Sequence, residues 1–261
     1  MSEALQPVVS VIMPAYNCAD FLPAAVASVR AQTVNNWELI IVDDHSGDDT
    51  LAVAQQLAAS DSRIRVLANE QNLGVSLTRN RAIAEARGAF IACLDSDDLW
   101  LPQKLEIQIS ALATTGADLC YCSYAIIDRE GKPCKADYIV PEQVDYEGLL
   151  GENVMQCSTM IMPAHIARKY PFTKEFYHED YVLALSVLRD GGKAVGCARV
   201  LSHYRYLENS RSANKLRAAK NRWLIYRDLL RLPLGKRLRV FGIYATAGLR
   251  KYVSRPKEGT K

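Results

Sequence analysis

Residues 1–116 alternate between two hydrophobic rhythms. Four short apolar runs rich in β-branched residues, "PVVSVIMPAY" (7–16), "WELIIVDD" (37–44), "RIRVLAN" (63–69) and "AFIACLD" (89–95), read as strands. Each is followed by a stretch with apolar residues at helical spacing, over 19–32, 48–60, 74–88 and 102–116. Asp20 is placed as the N-cap of the first helix, Gly88 as the C′ residue of the third, and Pro102 and Gly116 at the two ends of the fourth. Four strand-then-helix units with short loops predict an α/β fold, a Rossmann-like, mostly parallel sheet flanked by helices. In such sheets ligands bind beyond the carboxyl ends of the strands.

After residue 117 the rhythm changes. Residues 117–128, 157–163 and 193–206 read as strands that need not be parallel, and 179–192 as a helix ending in a glycine pair. Residues 129–156 are polar and irregular by comparison. Two helices follow at about 214–232 and 236–253, separated by "LPLG".

Composition adds one thing to this picture. The 261 residues are 49% hydrophobic and 23% charged, as in an ordinary globular protein, and the net charge is only +3. The charge is segregated, however. Residues 211–261 carry 15 Lys and Arg against 2 acidic residues, so the body up to 210 has a net charge of −10. The expected organisation is one α/β domain over 1–210, in two halves (about 1–116 and about 117–210), and a basic helical appendage over 211–261. The seven cysteines include no C-x-x-C pair, and several lie in apolar runs, which fits a reducing cytosol better than a zinc site or a disulfide framework. No basic leader and no run of about 20 apolar residues is found, so neither secretion nor a bilayer span is expected.

The polar clusters fall where an α/β sheet binds ligands. Strand one ends in Tyr16-Asn17, strand two in Asp43-Asp44-His45-Ser46, and strand four in Asp95-Ser96-Asp97-Asp98. Solvated capping turns explain any one of these. Three such loops at one rim point instead to a site. There is no G-x-G-x-x-G and no G-x-x-x-x-G-K-[ST], so any nucleotide must be held by another device. Asp95-x-Asp97 supplies one: carboxylates hold a hard cation such as Mg²⁺ or Mn²⁺, which substrate phosphates complete. A second cluster, "YHEDY" (177–181), offers Glu179 and Asp180 as a general base, and helical periodicity does not decide between them.

In order along the chain, "VSVIMPAYN", "WELIIVDDHSGDDT", "NLGVSLTRNRAIAEARG", "FIACLDSDDLW" and "HEDY" resemble the motif set of family 2 glycosyltransferases with the GT-A fold. The resemblance covers about residues 8–210. The segments "LDSDDLWLPQKLEIQI", "HEDYVLALSVL" and "HYRYLENSRSANKLRAAKNRWLIYR" are similar to bacterial enzymes that build surface polysaccharides, the teichuronic acid type being the nearest. The resemblance implies that Pro14, Ala15 and Tyr16 hold the nucleobase, with Tyr16 stacking on it, and that Asp44 accepts a hydrogen bond from uracil. It places Arg79 near the nucleotide. Arg81, two residues on, must face elsewhere. Asp95 and Asp97 match the D-x-D, with Asp97 the stronger ligand for Mn²⁺ or Mg²⁺. Asp95 and Ser96 then lie against the nucleotide sugar, and Asp98 becomes a cap for the next helix. The base role falls to Asp180. One base and no second nucleophile imply inversion at the sugar carbon. The donor implied is a nucleoside-diphosphate sugar, most simply a UDP-sugar, and the acceptor a glycan or lipid-linked glycan.

Two rival functions are weighed against this: a sugar nucleotidyltransferase, which lacks its glycine-rich triphosphate loop here, and a non-catalytic nucleotide-sugar-binding protein, against which intact Asp44, Asp95, Asp97 and Asp180 argue. His203 and Arg205, ahead of Ser210 and Ser212, form a segment able to close over a diphosphate, with Arg205 available to a phosphate. The tail mixes basic residues with Trp223, Ile225, Tyr226, Leu229 and Phe241, which predicts a pair of amphipathic helices lying on an anionic membrane surface, the alternative being that their apolar face packs on the catalytic domain. The location expected is cytoplasmic, at the inner face of the cell membrane. Nucleic acid is excluded as a partner by the acidic body.

Overall fold

The computed structural model describes residues 6–207 and 215–253. Strands β1 (Val9–Ala15), β2 (Trp37–Asp43), β3 (Ile64–Ala68) and β4 (Phe90–Cys93) pair in parallel in the order β3-β2-β1-β4. Helices α1 (Leu22–Arg30), α2 (Thr50–Ala59) and α3 (Val75–Glu85) make the crossovers. The strands alternate strictly between two apolar cores. Val11, Met13, Leu39 and Ile41 face one core, and Ile12, Ile40, Val42 and Ile91 face the other, on the side of α3. Burial on both faces is why these runs carry so few polar residues.

The second half extends the sheet with mixed polarity. A two-residue strand β5 (Leu99–Trp100) precedes α4 (Lys104–Thr115), which ends at Gly116 in the left-handed conformation, φ 63°. Strands β6 (Leu119–Ile127), β7 (Pro133–Tyr138), β8 (Ile161–Pro163) and β9 (Ala194–Arg205) follow, with α5 (Tyr146–Gly151), α6 (Ala164–Lys169) and α7 (Glu179–Arg189) between them. Strand β8 runs antiparallel beside β4 and couples it to β6, and β9 is parallel to β6. Of these elements β5, β7, α5 and α6 lie outside the expected set. All are six residues or shorter, too short for a periodicity to declare itself.

Three local expectations fail. Asp20 does not cap α1; its side chain points to solvent and pairs with Arg129 at 2.8 Å. Gly88 does not end α3 either. It is needed because a Cβ there would lie 2.4 Å from the backbone N of Ser10, where the chain runs hard against β1. The backbone N–H groups of Arg87 and Gly88 donate to Ser10 Oγ, which itself donates to Glu38. Asp98 does not cap α4; it is buried and belongs to the site below.

The tail forms α8 (Lys215–Leu224), a π-helical turn over Ile225–Leu229 and α9 (Leu234–Val253). Its apolar face packs on the catalytic body rather than standing free. Ile225, Tyr226 and Val240 are buried in the same core as α5 and α7, and Tyr226 Oη donates to the carbonyl of Leu150 at 2.5 Å. Ser210 and Ser212 lie outside the described residues, as do the first five. Among the described residues no helix is long and apolar enough to cross a membrane.

Replacing Gly88 with alanine should lower the stability by roughly 1–3 kcal/mol through overpacking against the β1 backbone. Urea unfolding measures this, and an unchanged midpoint would mean that the close approach is not rigid.

Candidate active site

The carboxyl ends of β1, β2 and β4 and the first turn of α7 open onto one cavity of about 1530 Å³. It is lined by every residue expected at the site: Pro14, Ala15, Tyr16, Asp44, Arg79, Asp95, Ser96, Asp97 and Asp180. Tyr16 stands at the rim, 53% exposed, with a ring face free to stack. Behind it Asn17 takes a positive φ of 47° and is fixed by Ser46 and Gly47 of the β2 loop.

Asp44 is buried and does two jobs. Its Oδ1 accepts from Asn69 Nδ2 and from the Leu73 N–H, and its Oδ2 from the Gly74 N–H, at 2.7–2.8 Å. It thereby fixes the loop that starts α3. A carboxylate offers about four acceptor positions, so these bonds leave one on the cavity side.

The α3 arginines separate as their spacing requires. Arg81 turns away to the Ala68 carbonyl and Asn69. Arg79 turns in, is buried, and bridges Asp95 at 2.5 Å and Glu179 at 2.7 Å. Burial opposes its charge, but the two carboxylates outweigh that and hold it protonated. This bridge separates the two candidate bases. Glu179 is spent on Arg79. Asp180 accepts the Tyr181 N–H at 2.7 Å and lines the cavity, and burial, then the Glu179 charge, pushes its pKa up to about 6.

The turn after β4 concentrates negative charge. Asp97 has only its own N–H as a hydrogen-bond partner among the described residues, and burial, then the Asp95 charge, raises its pKa to about 6. Asp98 points the other way, accepting from the Arg205 N–H and Gln156, and burial pushes its pKa far up. Arg205 is buried at the cavity wall and donates through Nε and Nη1 to the carbonyls of Asp97, Asp128 and Arg129, so it braces the turn. Among the described residues no three His, Cys, Asp or Glu side chains are grouped to hold a metal by themselves. Asp97, with Asp95 beside it, is a donor set that fits a hard cation completed by a bound diphosphate.

A family model described as "Glycosyl transferase family 2" matches residues 10–169, which take in the Asp44, Arg79 and Asp95-x-Asp97 segments. The chain belongs to this family. Over 97% of its length it is 37% identical to the Escherichia coli UDP-Glc:alpha-D-GlcNAc-diphosphoundecaprenol beta-1,3-glucosyltransferase WfgD, 98% of which is covered. It is 35% identical over 94% of its length to the putative teichuronic acid biosynthesis glycosyltransferase TuaG of Bacillus subtilis, again covering 98% of that protein. In fold it is similar to S. aureus TarS 1–349 in complex with UDP-GlcNAc, with a TM-score of 0.71 at 18% identity over 94% of this chain and 72% of that one. It is equally similar to the mannosyltransferase PcManGT of Pyrobaculum calidifontis in complex with GDP-Man and Mn²⁺, with a TM-score of 0.71 at 16% identity over 97% and 77%. The fold of this family 2 glycosyltransferase is GT-A, and the surface-polysaccharide resemblance holds over nearly the whole chain.

The expected set omits one wall of the cavity. Arg217, Lys220, Asn221 and Arg222 of α8 line it opposite the nucleotide loops. A charge count over the tail hides them. Their signal is the spacing of Arg217, Lys220 and Asn221, which puts three polar side chains on one helical face.

Arg79→Gln leaves Asp95 and Glu179 facing each other in a buried site and should cost about 3–5 kcal/mol. Arg79→Gln combined with Glu179→Gln should recover part of that loss. A double-mutant cycle in urea reads the coupling, and strictly additive losses would mean that Arg79 does not hold Glu179.

Proposed function

We propose that the protein is an inverting, metal-dependent glycosyltransferase. It moves a sugar from a UDP-sugar to a hydroxyl of a growing, lipid-linked bacterial cell-surface glycan, at the cytoplasmic face of the membrane. The observation that carries this reading is the meeting in one cavity of Tyr16, Asp44, Asp95, Asp97 and Asp180. The activity of the relative WfgD, with a UDP-Glc donor and a diphosphoundecaprenol-linked acceptor, supports the same substrate classes.

Each residue has a task. Tyr16 stacks on the base, within the Pro14–Ala15 loop, and Asp44 offers its remaining acceptor position to the uracil ring N–H. Asp97 and Asp95 would hold Mn²⁺ or Mg²⁺, and such an ion would supply positive charge against the diphosphate leaving group. Ser96 lies against the sugar nucleotide between them. Arg79 keeps Asp95 and Glu179 in place. Asp180 takes the acceptor hydroxyl proton as that oxygen attacks the anomeric carbon from the face opposite the diphosphate. With one base and one displacement, the configuration inverts. A carboxylate with a pKa near 6 is ionised at neutral pH yet more basic than an ordinary aspartate, which suits a general base.

Location follows from what the tail leaves outside. Its apolar face is spent on the core, but Leu234, Leu238 and Ile243 of α9 remain exposed beside Arg239. An apolar edge with basic neighbours suits the headgroup region of an anionic bilayer.

Free UDP should appear in step with transfer, whereas pyrophosphate release would signal nucleotidyl transfer. EDTA should abolish transfer and Mn²⁺ restore it; full activity in EDTA removes the metal role. Asp180→Asn should keep UDP affinity and lose about 10²-fold or more in kcat. In the wild type the base works deprotonated, so kcat/KM should be flat above pH about 6 and fall below it as Asp180 gains its proton. A profile unchanged down to pH 5 would assign the base elsewhere.

The membrane reading has its own test in flotation with anionic vesicles. Deleting the tail would open the core at Tyr226 and Val240, so the probe is Leu234→Ser with Leu238→Ser. Wild type should float at low salt and be released at high salt, and the double variant should stay in solution. Equal behaviour of the two would remove the membrane contact.

A further inference from the structure

The α8 wall of the cavity has no task in the reaction just described, yet it is built at a cost. Asn221 and Arg222 are both buried there. Asn221 Oδ1 accepts the Tyr177 N–H at 2.9 Å, while its Nδ2 has no partner among the described residues. Arg222 is 3% exposed, and its Nε and Nη1 have no hydrogen-bond partner among the described residues. Its guanidinium lies 3.5 Å over the Tyr181 ring and 4.9 Å over the Tyr244 ring, with the Tyr226 phenol alongside. Phenols are neutral, so they hold the cation without cancelling its charge.

A buried cation with orphaned donors, next to a second orphaned donor, is unfavourable until an anion arrives. The two walls of the cavity differ in this respect. The Asp95–Asp97 wall is acidic and receives a diphosphate only through a cation. The α8 wall is basic and binds one directly, through charge-assisted N–H donors.

We propose that Arg222 and Asn221 form a subsite for the diphosphate of the acceptor, separate from that of the donor. This rests on the reading above that the acceptor is a sugar on a lipid diphosphate. Position assigns the subsite to the acceptor. Arg222 stacks on Tyr181, the residue after the proposed base Asp180, whereas the donor diphosphate belongs at Asp95 and Asp97. Exposed Lys220 adds positive charge at the mouth. An acceptor seated this way brings a sugar close to its own diphosphate up to Asp180. The subsite thus selects chains near the start of assembly, and the reaction that supplies the substrate is one that places a sugar on a lipid phosphate.

The test is calorimetric titration of octyl diphosphate into the full chain saturated with UDP and Mn²⁺, so that the donor position is filled. Wild type should bind one equivalent. Arg222→Gln should weaken binding by about tenfold or more, the scale of a lost hydrogen bond to a charged group, and Arg222→Lys should keep part of it. UDP affinity should not change. If Arg222→Gln melts below the assay temperature, Asn221→Asp carries the test: it keeps the acceptor for Tyr177 and should abolish binding by repulsion. No binding by wild type, equal binding by the variants, or a matched fall in UDP affinity would each overturn the proposal. Transfer is not read in this experiment. A protein that binds octyl diphosphate but moves no sugar therefore counts against the proposed function alone.

Discussion

Arg79 is the constraint on which the site depends. Asp95, Asp97, Asp98, Glu179 and Asp180 converge on a small volume from two distant parts of the chain, and like charges in a poorly solvated site repel strongly. One buried guanidinium from α3 takes a carboxylate from each part, Asp95 from the end of β4 and Glu179 from the start of α7. The two halves of the domain are thereby tied at the floor of the cavity. Of the carboxylates left, Asp98 is buried away from the cavity on Gln156 and the Arg205 backbone, while Asp97 and Asp180 stay available and weakly acidic.

The parallel half was legible because strands buried on both faces leave unbroken apolar runs, and because the loops at their carboxyl ends carry the polar clusters. Arg79 over Arg81 followed from helical spacing alone. Other features were not legible, for a common reason: they depend on contacts distant in sequence. Nothing local distinguishes Glu179 from Asp180; what does is that Arg79, 100 residues away, pairs with Glu179. Asp98 looks like a helix cap until Arg205, 107 residues on, places a backbone N–H against it. That Arg205 also braces the carbonyls of Asp97, Asp128 and Arg129 depends on chain segments its own neighbours do not reveal. Segregated charge leaves open whether the apolar face of the tail goes to a membrane or to the catalytic body; Tyr226 and Val240 settle in the core of the body.

Once the tail packs on α5 and α7, the cavity has two chemically opposite sides. Acidic groups line one side, and buried donors without partners among the described residues line the other. Helix α7 is touched from both: Arg79 reaches its first residue, and Arg222 covers its third.

Asp44 has a mechanical aspect as well. It grips the Leu73 and Gly74 N–H groups two and one residues ahead of α3, and Arg79 lies five residues beyond Gly74 on the same helix. A helix is stiff over so short a span. One short rod thus joins the carboxylate at the end of β2 to the guanidinium that holds Glu179.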